Sequence, residues 1–222
     1  MLWAAEKQKK PLMRKLFIFS IALLAFFAVI TQFILMFQNR AEGAGETILR
    51  FFSYFTILTN SLVALYFIYK TCWPETVSGF IFGHRSFLTA LTVYITVVGA
   101  VYQLALRHIW NPAGMQKWVD ELLHTVIPLL VIFYWLSVLK KSSLQWKDTP
   151  LFLVYPLVYL VFVLVRGAFS GFYPYYFINV TDLGLTRVLL NSLVLTLVFV
   201  VLSVIFTALG RWYSKNNSPV KS

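Results

Sequence analysis

The chain has 222 residues, 59% apolar and 12% charged, with 19 Lys and Arg against 8 Asp and Glu for a formal net charge of +11. Water-soluble domains carry about 25% charged residues, so an ordinary soluble fold is excluded. A mean hydropathy of +0.76 likewise excludes a disordered chain and a DNA-binding module, the class that a basic excess otherwise suggests. The single cysteine, Cys72, excludes an internal disulfide and a cysteine-rich metal cluster. An integral membrane protein remains, with membrane lipids and not nucleic acid as its expected partners.

Six charge-free windows of 17 to 24 residues divide the chain, at 16–39, 51–69, 86–106, 122–139, 149–165 and 188–210. A bilayer core of about 30 Å needs about 20 helical residues, whereas barrel strands are about 10 residues long and alternate in polarity. The windows therefore predict an all-α protein with six transmembrane helices occupying 16–210.

Residues 1–15 form a basic tail carrying Lys7, Lys9, Lys10, Arg14 and Lys15. The apolar run that follows is too long for a signal peptide's core and ends without a small-x-small site, so an uncleaved first span is expected. The second window carries Ser53, Thr56 and Asn60, spaced to lie within about 60° of one another on a continuous helix. The third has a stripe of Thr92, Thr96, Gly99 and Gln103, the composition of a packed helix interface. The fourth begins with His124, preceded by Asp120 and Glu121, and contains Pro128; the fifth contains Pro156 and ends at Arg166. Both prolines predict kinked spans rather than re-entrant segments. The sixth carries Asn191 near its start, and residues 211–222 form a second basic tail, with Asn216 to Pro219 read as a short disordered end. Most tryptophans fall near span ends, as an aromatic belt predicts.

Assigning loops to alternate sides puts thirteen Lys and Arg with three acids on the side of the termini, and six with five acids on the other. Basic residues favour the cytoplasm, so both termini are expected there and the chain in the cell membrane. The net charge is then +10 inside and +1 outside.

With that orientation Ser53, Thr56, Asn60, Gln103, Asp120, Glu121, His124, Arg166 and Asn191 all fall toward the outer leaflet, which predicts a polar pocket there. Each has a plainer role available. Ser53 and Thr56 can bond the carbonyl four residues back, Asn60 can bridge helices, Gln103 and Arg166 can reach the interface, and Asp120 can cap a helix. His124 stands apart as the only histidine within a span. An imidazole oriented by a neighbouring carboxylate is what a general base needs. No metal-ligand spacing such as HExxH occurs, and no cofactor is expected.

Several segments resemble known membrane proteins: Arg50 to Thr56 (RFFSYFT) with Asn60, Trp118 six residues before His124, Tyr155 to Tyr159 (YPLVY), Arg166-Gly167, and Tyr173-Pro174-Tyr175. Over nearly the whole chain the likeness is to bacterial six-span proteins of unassigned role. More distantly, and on few residues, the chain resembles the androgen-induced family of intramembrane hydrolases. That resemblance implies a threonine nucleophile and a histidine hydrolysing fatty acid esters of hydroxy fatty acids. It assigns the histidine to His124, and the nucleophile to Ser53 by counting from Arg50 or to Thr56 by residue type. Asp120 and Glu121 stand where that family has a second histidine. Gln103, Asn191 or Asn60 would supply oxyanion donors. The expected function is hydrolysis of lipid esters. The alternative is a non-enzymatic protein, either a solute or lipid transporter or a structural subunit, with the polar groups lining a cavity.

Overall fold

A computed structural model describes residues 2–73, 82, 84, 86–138 and 144–216, with side chains from residue 12 onward. Arg85, Lys140, Lys141 and Lys221, all counted on the side of the termini, and the tail segment Asn217 to Pro219 lie outside the described residues, whereas Asn216, expected in the loose end, is the last residue of the final helix. No strand occurs among the described residues. Six helical stretches are long and apolar enough to cross a bilayer: Leu12–Gln38, Phe55–Cys72, Phe87–Leu106, Gly114–Val138, Trp146–Ser170 and Leu185–Asn216. The protein is a six-span, all-α integral membrane protein.

Its helices are α1 (Leu2–Gln38), α2 (Ala44–Phe51), α3 (Phe55–Cys72), α4 (Phe87–Val101), α5 (Gly114–Glu121), α6 (Ile127–Val138), α7 (Val154–Ser170), α8 (Val180–Leu183) and α9 (Leu185–Asn216). Most run past the charge-free windows, because charged side chains are tolerated where a helix emerges into the headgroup region. α4 is central: it packs on α3, α6 and α9, and its span is 61% buried, against 22% for the spans containing α7 and α9. The outer surfaces of α1, α7 and α9 expose Phe26, Phe27, Leu157, Phe162, Leu193 and Leu197. A soluble bundle would bury such residues; here they face lipid.

Three departures from regular α-helix position the site. The second window is not one helix. α2 ends at Phe51 and a turn closes through Ser53 N–H to the Arg50 carbonyl and Tyr54 N–H to the Phe51 carbonyl, so α3 starts only at Phe55. Ser53 is thereby taken off the helix that carries Thr56 and Asn60. The other two departures are wide π turns, Tyr102–Leu106 extending α4 and Leu122–Val126 joining α5 to α6. Such turns are rare and concentrate at functional sites. Pro128 follows the second of them and has no N–H to offer the His124 carbonyl.

The kink expected at Pro156 takes another form. Residues Trp146–Leu153 form a 3-10 helix that passes into α7 at Val154, leaving Pro156 in the first α-helical turn, where its missing N–H costs little. In the third window, Gly99 lets α4 approach the following span closely. A Cβ there would lie 3.1 Å from the His124 carbonyl oxygen and 3.4 Å from Pro128. The expected packing stripe therefore also sets the height of His124.

Candidate functional site

Thr56 occupies the second position of α3. Its Oγ1 lies 3.4 Å from His124 Nε2. The other ring nitrogen, Nδ1, lies 2.9 Å from the backbone carbonyl oxygen of Asp120. A carbonyl can only accept, so Nδ1 carries the proton and the Nε2 lone pair faces the Thr56 hydroxyl. Tyr102 stacks on the imidazole with centroids 4.1 Å apart and planes 13° off parallel, which fixes the ring's orientation. Both aromatic members of this stack lie on the π turns.

Tyr175, from the loop between α7 and α8, completes the cluster. Its hydroxyl oxygen is 3.3 Å from the Thr56 backbone nitrogen and 3.4 Å from Thr56 Oγ1. It therefore accepts one of the N–H groups that a helix start leaves without an internal partner.

A cavity of about 650 Å³ reaches Thr56, Tyr102, Asp120, His124 and Tyr175, within the roughly 300–1,000 Å³ of small-molecule sites. Its rim includes Asn39, Ile109 and Tyr176, all exposed, and it opens at the end of the bundle opposite the termini. A second, apolar slot of about 80 Å³ runs between α4, α7 and α9, past Val97, Leu160, Leu195 and Phe199. Thr56 and Tyr175 border both spaces.

The other expected site residues are distributed around this cluster. Ser53 is fully buried, donates to the Leu49 carbonyl at 2.6 Å, and its own carbonyl accepts from Tyr159 at 2.8 Å. Asn60 donates to the carbonyls of Thr56 at 2.9 Å and Leu123 at 3.3 Å, tying the Thr56 turn to the His124 turn. Asp120 accepts from Trp110 at 2.6 Å and from Gln116 at 3.0 Å. Glu121 pairs with Arg107 and accepts from Thr125. Thus a backbone carbonyl, and neither carboxylate, orients His124. Gln103 donates to Thr125 at 2.8 Å and accepts from Arg107, while Asn191 donates to the Phe177 carbonyl at 2.8 Å and braces the loop that carries Tyr175. The structure brings Thr56, Asn60 and His124 together and gives Ser53, Gln103 and Asn191 other partners. Among the described residues no three His, Cys, Asp or Glu side chains converge as metal ligands would.

Arg166 belongs to a clamp on the Tyr175 loop. Glu46 Oε1 receives Arg50 and Arg166, each at 2.8 Å, and Arg50 also reaches Glu42 at 3.0 Å. The two guanidinium groups lie 4.6 and 5.1 Å from the Phe172 ring centre, and Tyr54 meets Phe172 and Tyr175 edge-on. The Arg50 hydrogen bond, with Arg166 adding to it against partial desolvation, holds the Glu46 carboxyl below its ordinary range.

A depressed folded value means that the clamp's contribution is complete above the unfolded glutamate value of about 4.3 and is lost as pH falls through the lower, folded value. In detergent the wild type should melt above Glu46→Gln near neutrality, with the two curves converging as the pH falls through the lower, folded value and the carboxyl becomes protonated. A gap that persists at that acidity would count against the clamp.

Sequence reasoning missed Tyr102 and Tyr175. Tyr173-Pro174-Tyr175 stood out only as part of a resemblance, and no spacing rule links it to Thr56. Comparison with protein-family models, curated proteins and solved structures finds no match for this chain.

Proposed function

We propose that the protein is an intramembrane hydrolase of lipid esters, with Thr56 as nucleophile and His124 as general base. The observation that carries this reading is the relay from the Thr56 hydroxyl to His124 Nε2 and from Nδ1–H to the Asp120 carbonyl. A hydroxyl, a base and a group that orients the base are the parts that covalent catalysis requires, and distances somewhat longer than in a reacting complex are usual before substrate binds.

In the proposed reaction His124 Nε2 takes the Thr56 proton as Oγ1 bonds to the ester carbonyl carbon and the carbonyl π pair moves onto oxygen. Collapse of that adduct breaks the bond to the leaving oxygen, and His124 returns the proton to the departing alcohol. Water entering from the open cavity then repeats the sequence on the acyl-threonine. His124 takes a proton from water, and Thr56 recovers it when the carboxylic acid leaves. The position of Thr56 at the start of α3 helps, because the positive end of a helix stabilises developing negative charge.

The two spaces around Thr56 suit the two halves of a lipid ester. The few methylenes nearest the ester fit the apolar slot, which is lined by Leu157 and Leu195 and borders the lipid-facing surface at the exposed Leu157, and a more polar leaving group fits the open cavity. Leu195→Trp fills the slot. It is expected to lower kcat/KM for long-chain esters about tenfold relative to short-chain ones, the scale of one or two methylenes in an apolar pocket. Equal effects on both chain lengths would remove the slot from the substrate path.

The test of the reading is reaction of the purified protein with a fluorophosphonate probe, which phosphonylates activated hydroxyls. Wild type should label and His124→Ala should not; labelling that survives in His124→Ala refutes the role given to the histidine.

The cavity's volume also supports a second reading, as a ligand-binding pocket without chemistry. All its lining residues come from the outer halves of the spans or their connections, so among the described residues it does not continue toward the side of the termini as a transport path would. A binding pocket predicts an unreactive Thr56 and retention of a lipid through purification.

A further inference from the structure

A hydrolase of this kind needs a hydrogen-bond donor for the negative charge that develops on the carbonyl oxygen, and the polar side chains around Thr56 are mostly committed elsewhere. Gln103 donates to Thr125, Asn191 to the Phe177 carbonyl, and Asn60 to the carbonyls of Thr56 and Leu123. Ser53 donates to the Leu49 carbonyl.

Tyr175 is different. Its oxygen accepts the Thr56 N–H, so its own proton is free to be donated, and the nearest acceptor is Thr56 Oγ1 at 3.4 Å. The donor directions then form a consistent chain. Thr56 N–H points to Tyr175, Tyr175 O–H to Thr56 Oγ1, Thr56 O–H to His124 Nε2, and His124 Nδ1–H to Asp120. The ring is held on both sides, stacked on Phe177 with planes 4° apart and centroids 5.2 Å apart, and edge-on to Tyr54 at 5.8 Å. Burial pushes its phenol up to about 12, with the Thr56 hydrogen bonds opposing, so it is a protonated donor at neutral pH.

We infer that Tyr175 is a further catalytic residue, whose hydroxyl rotates from Thr56 Oγ1 to the substrate's carbonyl oxygen as that oxygen becomes an oxyanion. The inference rests on the proposed hydrolase reading. As Thr56 Oγ1 loses its proton to His124 and spends one electron pair on the new C–O bond, it becomes an ether-type oxygen and a weaker acceptor for Tyr175. The C=O electron pair has meanwhile moved to an oxygen bonded to the same carbon, within reach of a small rotation about the phenol C–O bond. Tyr175 gives a hydrogen bond and keeps its proton, so no charge leaves the phenol. The ring is held in place before reaction and only its O–H bond rotates, so little reorganisation is needed, close to the condition under which such donors are most effective.

Tyr175→Phe keeps the ring and its packing and removes only the hydroxyl. With an activated fatty acyl ester such as a p-nitrophenyl ester, the variant is expected to lose on the order of 10²–10³ in kcat, the effect of removing one oxyanion donor, with KM near wild type and a melting temperature lowered by only a few degrees, because the Thr56 N–H loses its acceptor. A trifluoromethyl ketone bearing a fatty acyl chain adds to the nucleophile to form an oxyanion, whereas the corresponding ether cannot. Tyr175→Phe should weaken the ketone on the order of 10²-fold and leave ether binding unchanged. Equal losses for ketone and ether indicate a merely structural tyrosine and overturn the assignment. A wild-type ketone affinity in Tyr175→Phe overturns it too, while leaving the Thr56–His124 reading intact. If wild type neither hydrolyses the ester nor binds the ketone more tightly than the ether, both readings fall.

Discussion

Thr56→Ala is expected to abolish fluorophosphonate labelling and ester hydrolysis, whereas Ser53→Ala retains both. The two hydroxyls are three residues apart and look interchangeable in sequence, yet their surroundings are opposite. Ser53 is fully buried, with its proton committed to the Leu49 carbonyl at 2.6 Å. Thr56 faces the base and both spaces that would receive substrate. Where a nucleophile and its base act as a unit, loss of the nucleophile costs on the order of 10⁶ in rate, so the residual activity of Thr56→Ala should be at background. Thr56→Ser keeps an oxygen in reach of His124 and should retain measurable turnover. Reduced turnover is expected from a side chain that, without the β-methyl group, has more rotamers to choose from. The comparison also separates catalysis from ligand binding, since a passive pocket would tolerate Thr56→Ala with only a change in affinity.

Gly167→Ala should also lower activity strongly, although Gly167 lies outside the relay. Gly167 sits on α7 against the ring of Tyr173, and a Cβ at this position would overlap that ring's atoms. The clash is with the Tyr173 ring, two residues from Tyr175, so that ring and the loop that carries it must shift. Overpacking of this kind costs about 1–3 kcal/mol, too little to unfold most bundles but enough to move a loop held by a ring, an ion-pair clamp and the Asn191 bond to the Phe177 carbonyl. The expected result is a melting temperature lowered by a few degrees and a loss of activity comparable to that of Tyr175→Phe. Gly171→Ala is a useful contrast. No atom lies within 4 Å of a Cβ there, but its φ of +69° disfavours a side chain, so it should cost stability with little effect on a relay that remains seated. Wild-type activity in Gly167→Ala would mean that the loop does not position Tyr175 in the reacting state.

The six spans were legible because each needs only length and apolarity, and both survive in one dimension. His124 was legible for the same reason, being a polar ring in an otherwise apolar window. The choice between Ser53 and Thr56 was not, because it depends on the break at residues 52–54. Apolar and small polar residues on both sides give that break no signal, and a continuous helix put both hydroxyls on one face. Asp120 and Glu121 were legible as neighbours of His124, but their carboxylates turn to Trp110, Gln116 and Arg107, and it is the Asp120 carbonyl that meets the ring. Backbone partners chosen inside a π turn leave no trace in residue type. Tyr102 and Tyr175 were hidden by composition, since a chain with 12 Tyr and 21 Phe offers no reason to single out two, and the pair reaches Thr56 and His124 only through folding of segments far apart in sequence.

The most direct test is to find where a fluorophosphonate probe attaches. The purified wild-type protein is labelled in detergent, digested, and the modified peptide sequenced by mass spectrometry. The adduct is expected on Thr56 and should be absent when His124→Ala is treated identically. An adduct on Ser53 or another hydroxyl, or a Thr56 adduct that forms as fast without His124, would contradict a Thr56–His124 nucleophile and base.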